Sequence, residues 1–124
     1  AMYGVLEKGI PADLDGTFKR IRFFLLTEYI IGGEELSLYS YENDTIRKLG
    51  EPRVHFALNC MSVGCPRLPQ IPFDGKTLEA ELDRGAREFF NGSKYVQVDP
   101  AARVVRISQI LEFFTEDFVN DRQA

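Results

Sequence analysis

The chain has 124 residues, 44% of them hydrophobic and 27% charged, with ten Phe, five Tyr and no Trp; that length supports one hydrophobic core of ordinary size. Fifteen Lys and Arg against nineteen Asp and Glu give a net charge of -4, and neither sign is gathered into a block, which argues against a nucleic-acid footprint. The longest apolar run, Phe23 to Leu26, is far below the roughly 20 residues that a membrane-spanning helix needs.

Met2 to Lys8 has helix-compatible composition and is closed by Gly9 and Pro11, the usual order of a helix stop. It lacks the basic start and apolar middle of a secretory leader. A leader removed before this numbering begins would leave the same sequence, so both a cytoplasmic and an exported protein fit.

Arg20 to Ile31 is rich in Phe, Ile, Tyr and Thr, and Gly32-Gly33 separates it from Glu35 to Leu38. This predicts two antiparallel strands around a glycine turn. Ser37 then precedes Leu38, Tyr41, Thr45, Ile46 and Leu49, spaced as the apolar stripe of a helix that Ser37 caps and Gly50 ends, with Pro52 beyond. Glu42 lies between Leu38 and Ile46 at four-residue spacing, so its carboxylate belongs beside the stripe.

Val54 to Leu58 is a short apolar run predicted to be a strand through the core, with His55, Ala57 and Asn59 on the face opposite Val54, Phe56 and Leu58. Cys60 to Pro72 contains three prolines and a glycine and is loop. Thr77 to Phe90 carries Leu78, Leu82, Ala86, Phe89 and Phe90 at helical spacing and stops at Asn91-Gly92. Tyr95 to Val98 and Arg103 to Ile107 flank Asp99-Pro100-Ala101-Ala102 as a second hairpin. Ser108 caps a last helix that docks Ile110, Leu111, Phe113, Phe114 and Phe118. The expected fold is α+β: residues 1–124 as one domain, with two hairpins and a central strand in a mainly antiparallel sheet packed by three to four helices.

His55 to Pro66 holds the only histidine and both cysteines. A thiolate nucleophile needs a base or a positive surrounding, and a nearby histidine is the usual supplier. On a straight strand, however, five residues at about 3.3 Å each separate His55 from Cys60 by on the order of 16 Å. A dyad would require a sharp bend at Asn59, a return of Cys65 over the sheet, or another partner, for which Glu42 is the best candidate. Cys60 and Cys65 fit buried thiols or a loop disulfide better than a redox motif, since four residues intervene and not two. His55, Cys60 and Cys65 offer three metal ligands with Glu42 as a fourth, too thin a set to assign a metal or other cofactor. Arg67, just past Pro66, is placed to clamp a carboxylate or phosphate.

Asp44-Thr45-Ile46-Arg47, Pro52 to Cys60, Ser62, Cys65-Pro66 and Leu68 resemble the signature of the domain of unknown function 547 family, found in bacteria and at the C-terminus of plant proteins. The likeness continues through Phe73, Leu78, Leu82, Phe89-Phe90, Ser108, Ile110-Leu111 and Glu116-Asp117-Phe118. The resemblance implies no established activity. Family members usually carry an upstream helix with a Tyr-Asn motif, which this chain is expected to lack. Some have a small residue in place of Cys65, which turns attention to His55, Asn59, Cys60 and Ser62.

Two readings follow. In the first, favoured on base rates, the chain is a binding or scaffold module with a polar pocket around His55 to Pro66, its partner an unspecified small molecule or protein and its oligomeric state open. In the second, it is a thiol-dependent hydrolase or acyl transferase. Cys60 is then the nucleophile, His55 or Glu42 the base, and Asn59 or Ser62 the oxyanion donor, with Cys65 and Arg67 nearby.

Overall fold

The computed structural model describes residues 17–120 of the chain, so the helix expected over Met2 to Lys8 lies outside the described residues. The chain divides into two compact units, residues 1–50 and 51–124. Each contains one two-stranded antiparallel sheet together with helices, which makes the class α+β.

The described part of the first unit opens with α1, Thr17–Ile21, which runs on as a wider π-type coil over Arg22–Leu26. The strand expected from Arg20 is therefore helical up to Leu26, and only Glu28–Ile31 is extended as β1. A continuous apolar run has no period of its own to separate strand from helix. Here the backbone N–H and hydroxyl of Thr27 both donate to the Arg22 carbonyl, at 2.9 and 2.8 Å, and close the last turn.

β1 pairs with β2, Glu34–Ser37, through Gly32 and Gly33. Both glycines have positive φ, +63° and +90°, as tight hairpin turns of the primed type demand. Ser37 ends β2 and caps α2 by accepting the Ser40 N–H at 3.1 Å. Helix α2 spans Leu38–Ser40, widens over Tyr41–Ile46 and tightens over Arg47–Leu49 before Gly50 in the left-handed region.

The second unit departs from expectation at its first residues. Pro52–Phe56 is a 3₁₀ helix and not a strand. Glu51 caps it by accepting the Arg53 N–H at 2.9 Å, and Pro52, whose missing N–H costs nothing at a helix start, occupies the first turn. The change of period decides what is buried. On a strand His55 and Phe56 would face opposite ways, whereas here these neighbours are 1% and 7% exposed.

Helix α3, Leu78–Asn91, packs on this turn through Leu82 and Phe89. The close approach occurs at Gly85, where a side chain would lie 3.3 Å from the Phe56 carbonyl oxygen. Strands β3, Val96–Asp99, and β4, Val104–Ile107, form the second hairpin across the expected turn. There Asp99 accepts the Ala102 N–H at 2.9 Å. Ser108 then accepts the Ile110 N–H at 3.4 Å and starts α4, Ile110–Phe113, which is followed by α5, Thr115–Asn120. The core of this unit is Phe56, Cys65, Phe89 and Ile110, with Tyr95, Leu111, Phe114 and Phe118 packed around it.

Arg53 ties the 3₁₀ helix to α3. Its guanidinium reaches Glu51 through two hydrogen bonds of 2.8 and 2.7 Å, Glu79 at 2.7 Å and Asp83 at 2.7 Å. Donation from the Arg53 side chain holds the Glu51 carboxyl below its ordinary value of 4.5. Such a group stabilises the fold fully above its unfolded-state pKa, and that contribution is lost as pH falls through the lower folded-state pKa. Arg53→Met is expected to cost about 1 to 3 kcal/mol near neutral pH in urea unfolding followed by circular dichroism. It should also flatten the acid limb of the stability profile below pH 4.5. An unchanged acid limb would show that the cluster does not couple to folding.

Candidate functional site

His55 leaves the 3₁₀ helix toward the segment Phe114 to Phe118. Its Nε2–H donates to Asp117 Oδ2 at 2.7 Å. The ring stacks on Phe114 with centroids 4.0 Å apart and leans on Phe118 at 5.4 Å. A histidine oriented by a carboxylate is half of a familiar acid–base arrangement, but this ring is sealed between aromatic faces with 1% exposure. What the geometry provides directly is a hydrogen bond from a buried ring to a half-buried carboxylate, and this bond pins α5 to the start of the unit.

The loop after the 3₁₀ helix has its own internal framework. Cys60 and Cys65 form a disulfide, so both cysteines of the chain are bonded. Cys65 is buried and Cys60 half-buried. Asn59 bridges the loop from within: its amide donates to the Pro66 carbonyl and its oxygen accepts the Met61 N–H at 2.8 Å. Met61 takes the left-handed conformation at φ +58°, which the Asn59 contact holds against its steric cost. The Ser62 hydroxyl lies 3.4 Å from Cys60 Sγ and 3.7 Å from Cys65 Sγ. Ser108 donates to the Gly64 carbonyl at 2.7 Å and ties the loop to the start of α4.

Asn59, Cys60, Ser62 and Cys65 are thus brought together, while His55 turns to Asp117 and Arg67 to Glu88, 3.1 Å away. Glu42 is half-buried in α2 of the first unit. Among the described residues no three His, Cys, Asp or Glu side chains are grouped to hold a metal ion. No helix there is long and apolar enough to cross a membrane.

Pro66 and Arg67 continue from the disulfide into one wall of a cleft of about 220 Å³. Phe56, Phe73, Phe89 and Tyr95 line its apolar part, and Glu81, Arg84 and Glu88 on α3 line the rest. Tyr95 stacks on Phe89 with centroids 4.7 Å apart. Sequence reasoning identified Arg67 but not Arg84, Tyr95 or Asp117. For Arg84 a local signal existed in the Glu81, Arg84, Glu88 spacing, which lays one face of α3 along the cleft. Asp117 had none, because it lies 62 residues from His55.

His55→Ala or Asp117→Ala is expected to lower stability in urea by about 1 to 3 kcal/mol, since the first removes a buried ring packed on Phe114 and the second leaves the buried Nε2–H unmatched. Asp117→Asn, which keeps an acceptor oxygen, should lose less. Equal losses from Asn and Ala at position 117 would assign the effect to charge rather than to the hydrogen bond.

The family model described as "protein of unknown function, DUF547" matches residues 1–90, running through the boundary between the two units and including His55, Cys60, Cys65 and Arg67. No curated protein and no solved structure matches the chain. With about three quarters of its length matched, the chain belongs to the DUF547 family.

Proposed function

We propose that the chain is a non-catalytic binding module, with the cleft beside the disulfide loop as its binding surface. The observation that carries this reading is the Cys60–Cys65 bond, which occupies the sulfur that a thiol mechanism would use. A bonded sulfur is not a nucleophile. The loop's hydrogen bonds are likewise spent on its own shape: both ends of the Asn59 amide bind backbone groups. A cross-linked loop with little freedom left to lose is a good recognition wall, because ordering costs little further entropy on binding. The cleft it borders combines aromatic surface with a few charged groups, the usual make-up of small-ligand sites.

The competing reading is a thiol-dependent hydrolase or acyl transferase that becomes active on reduction, with Cys60 as nucleophile and His55 or Glu42 as base. One contact favours it: the Ser62 hydroxyl, 3.4 Å from Cys60 Sγ, is a donor within reach of a thiolate formed at that sulfur.

Iodoacetamide at neutral pH, read by intact mass, separates the two. A binding module takes no label before reduction. After reduction it labels no faster than the denatured chain and does not turn over an activated ester such as p-nitrophenyl acetate. Labelling of Cys60 well above the denatured rate, together with ester turnover that Cys60→Ala abolishes, would replace the binding reading with the enzymatic one.

A further inference from the structure

We infer that the cleft takes a small aromatic carboxylate, with Arg84 as the anchor for the anionic group; this rests on the binding reading above and specifies its ligand class. Size comes first. An apolar cavity of about 150 Å³ accommodates one benzene ring, so about 220 Å³ leaves room for one ring and a short polar chain. Phe56, Phe73, Phe89 and Tyr95 supply the apolar walls, and the Phe89–Tyr95 stack offers a ring neighbour for offset or edge-on packing.

Charge selects the polar end. Among the described residues four charged side chains line the cleft: Arg67, Glu81, Arg84 and Glu88. Arg67 is paired with Glu88 at 3.1 Å, and the Glu81 carboxylate accepts the Asp74 N–H at 3.0 Å. Glu81 and Glu88 stand three residues before and four after Arg84 on α3, the two spacings at which a helix would ordinarily supply an ion-pair partner. Both are directed elsewhere, and among the described residues Arg84 has no hydrogen-bond or ion-pair partner. A guanidinium presents a planar fork of donors that fits a carboxylate through two parallel hydrogen bonds. Arg84 is exposed, so its guanidinium is open to an incoming carboxylate while the apolar walls beside it cover the ring.

The test is a titration of the 124-residue chain, disulfide intact, with 3-phenylpropionate, 3-phenylpropionamide and 2-phenylethylamine, following backbone amide shifts by NMR. The carboxylate is expected to shift the amides of Gly85, Phe89 and Tyr95 and to bind about tenfold or more tighter than the amide, the usual worth of a charge-assisted hydrogen bond. Arg84→Met should erase that difference and leave the amide's affinity unchanged. Phe73→Ala, on the loop side, should weaken both ligands. Equal binding of carboxylate and amide, insensitive to Arg84→Met, would overturn the carboxylate assignment while keeping the cleft as a binding site. Tighter binding of the amine would overturn it in favour of the two glutamates. The absence of shifts with all three ligands would remove the binding reading itself.

Discussion

Arg53 is the point on which the second unit turns. One guanidinium serves three carboxylates, one two residues before it and two on α3, 26 and 30 residues on, and it is a quarter exposed. An isolated exposed ion pair is worth little, because screening and side-chain entropy consume the Coulombic gain. A shared, partly buried and bidentate arrangement differs, because each additional carboxylate meets a guanidinium that is already ordered. The cluster holds the 3₁₀ helix against α3, and from that docking follow the burial of Phe56 on Phe89, the close approach at Gly85 and the floor of the cleft.

Two neighbouring residues then divide the unit. Phe56 faces α3 and the cleft, while His55 faces α5 and Asp117. The polar chemistry that stands out in the sequence is mostly spent inward: the histidine on a helix contact, the asparagine on two backbone groups, the sulfurs on each other. The cleft, the surface that the proposed binding reading gives to a ligand, is lined by residues with no chemical signature of their own, chiefly aromatic walls and arginines at the edge. A polar group that is hydrogen-bonded inside a fold stabilises shape, and in the proposed binding module recognition would fall to the groups that line the cleft.

The disulfide loop connects these two roles. Cys65 is part of the apolar core, and the next two residues, Pro66 and Arg67, belong to the cleft wall. The Asn59 amide on the Pro66 carbonyl and the Ser108 hydroxyl on the Gly64 carbonyl fix the same short stretch from two sides. A wall held this way presents Arg67 to Glu88, and among the described residues Arg84 lines the cleft with no ion-pair partner.

What the sequence by itself determined was everything governed by neighbours a few residues apart. Family membership, the α+β class, the Gly32-Gly33 and Asp99–Ala102 turns, the Ser37 cap, the Gly50 stop and the limits of α3 within one residue were all legible, because turn conformation and capping are local interactions. Even the 3₁₀ helix had a local signal in Glu51-Pro52, a cap followed by a helix-starting proline, although Pro52 read equally well as the end of the preceding helix. The tertiary structure decided the rest. The docking of that 3₁₀ turn on α3 brings Arg53 to carboxylates 26 and 30 residues away. The partner of His55 depended on an aspartate 62 residues away. Such contacts carry no period and no spacing along the chain; they exist only once packing has brought the elements together, and for that reason the cleft and the buried histidine became visible only in three dimensions.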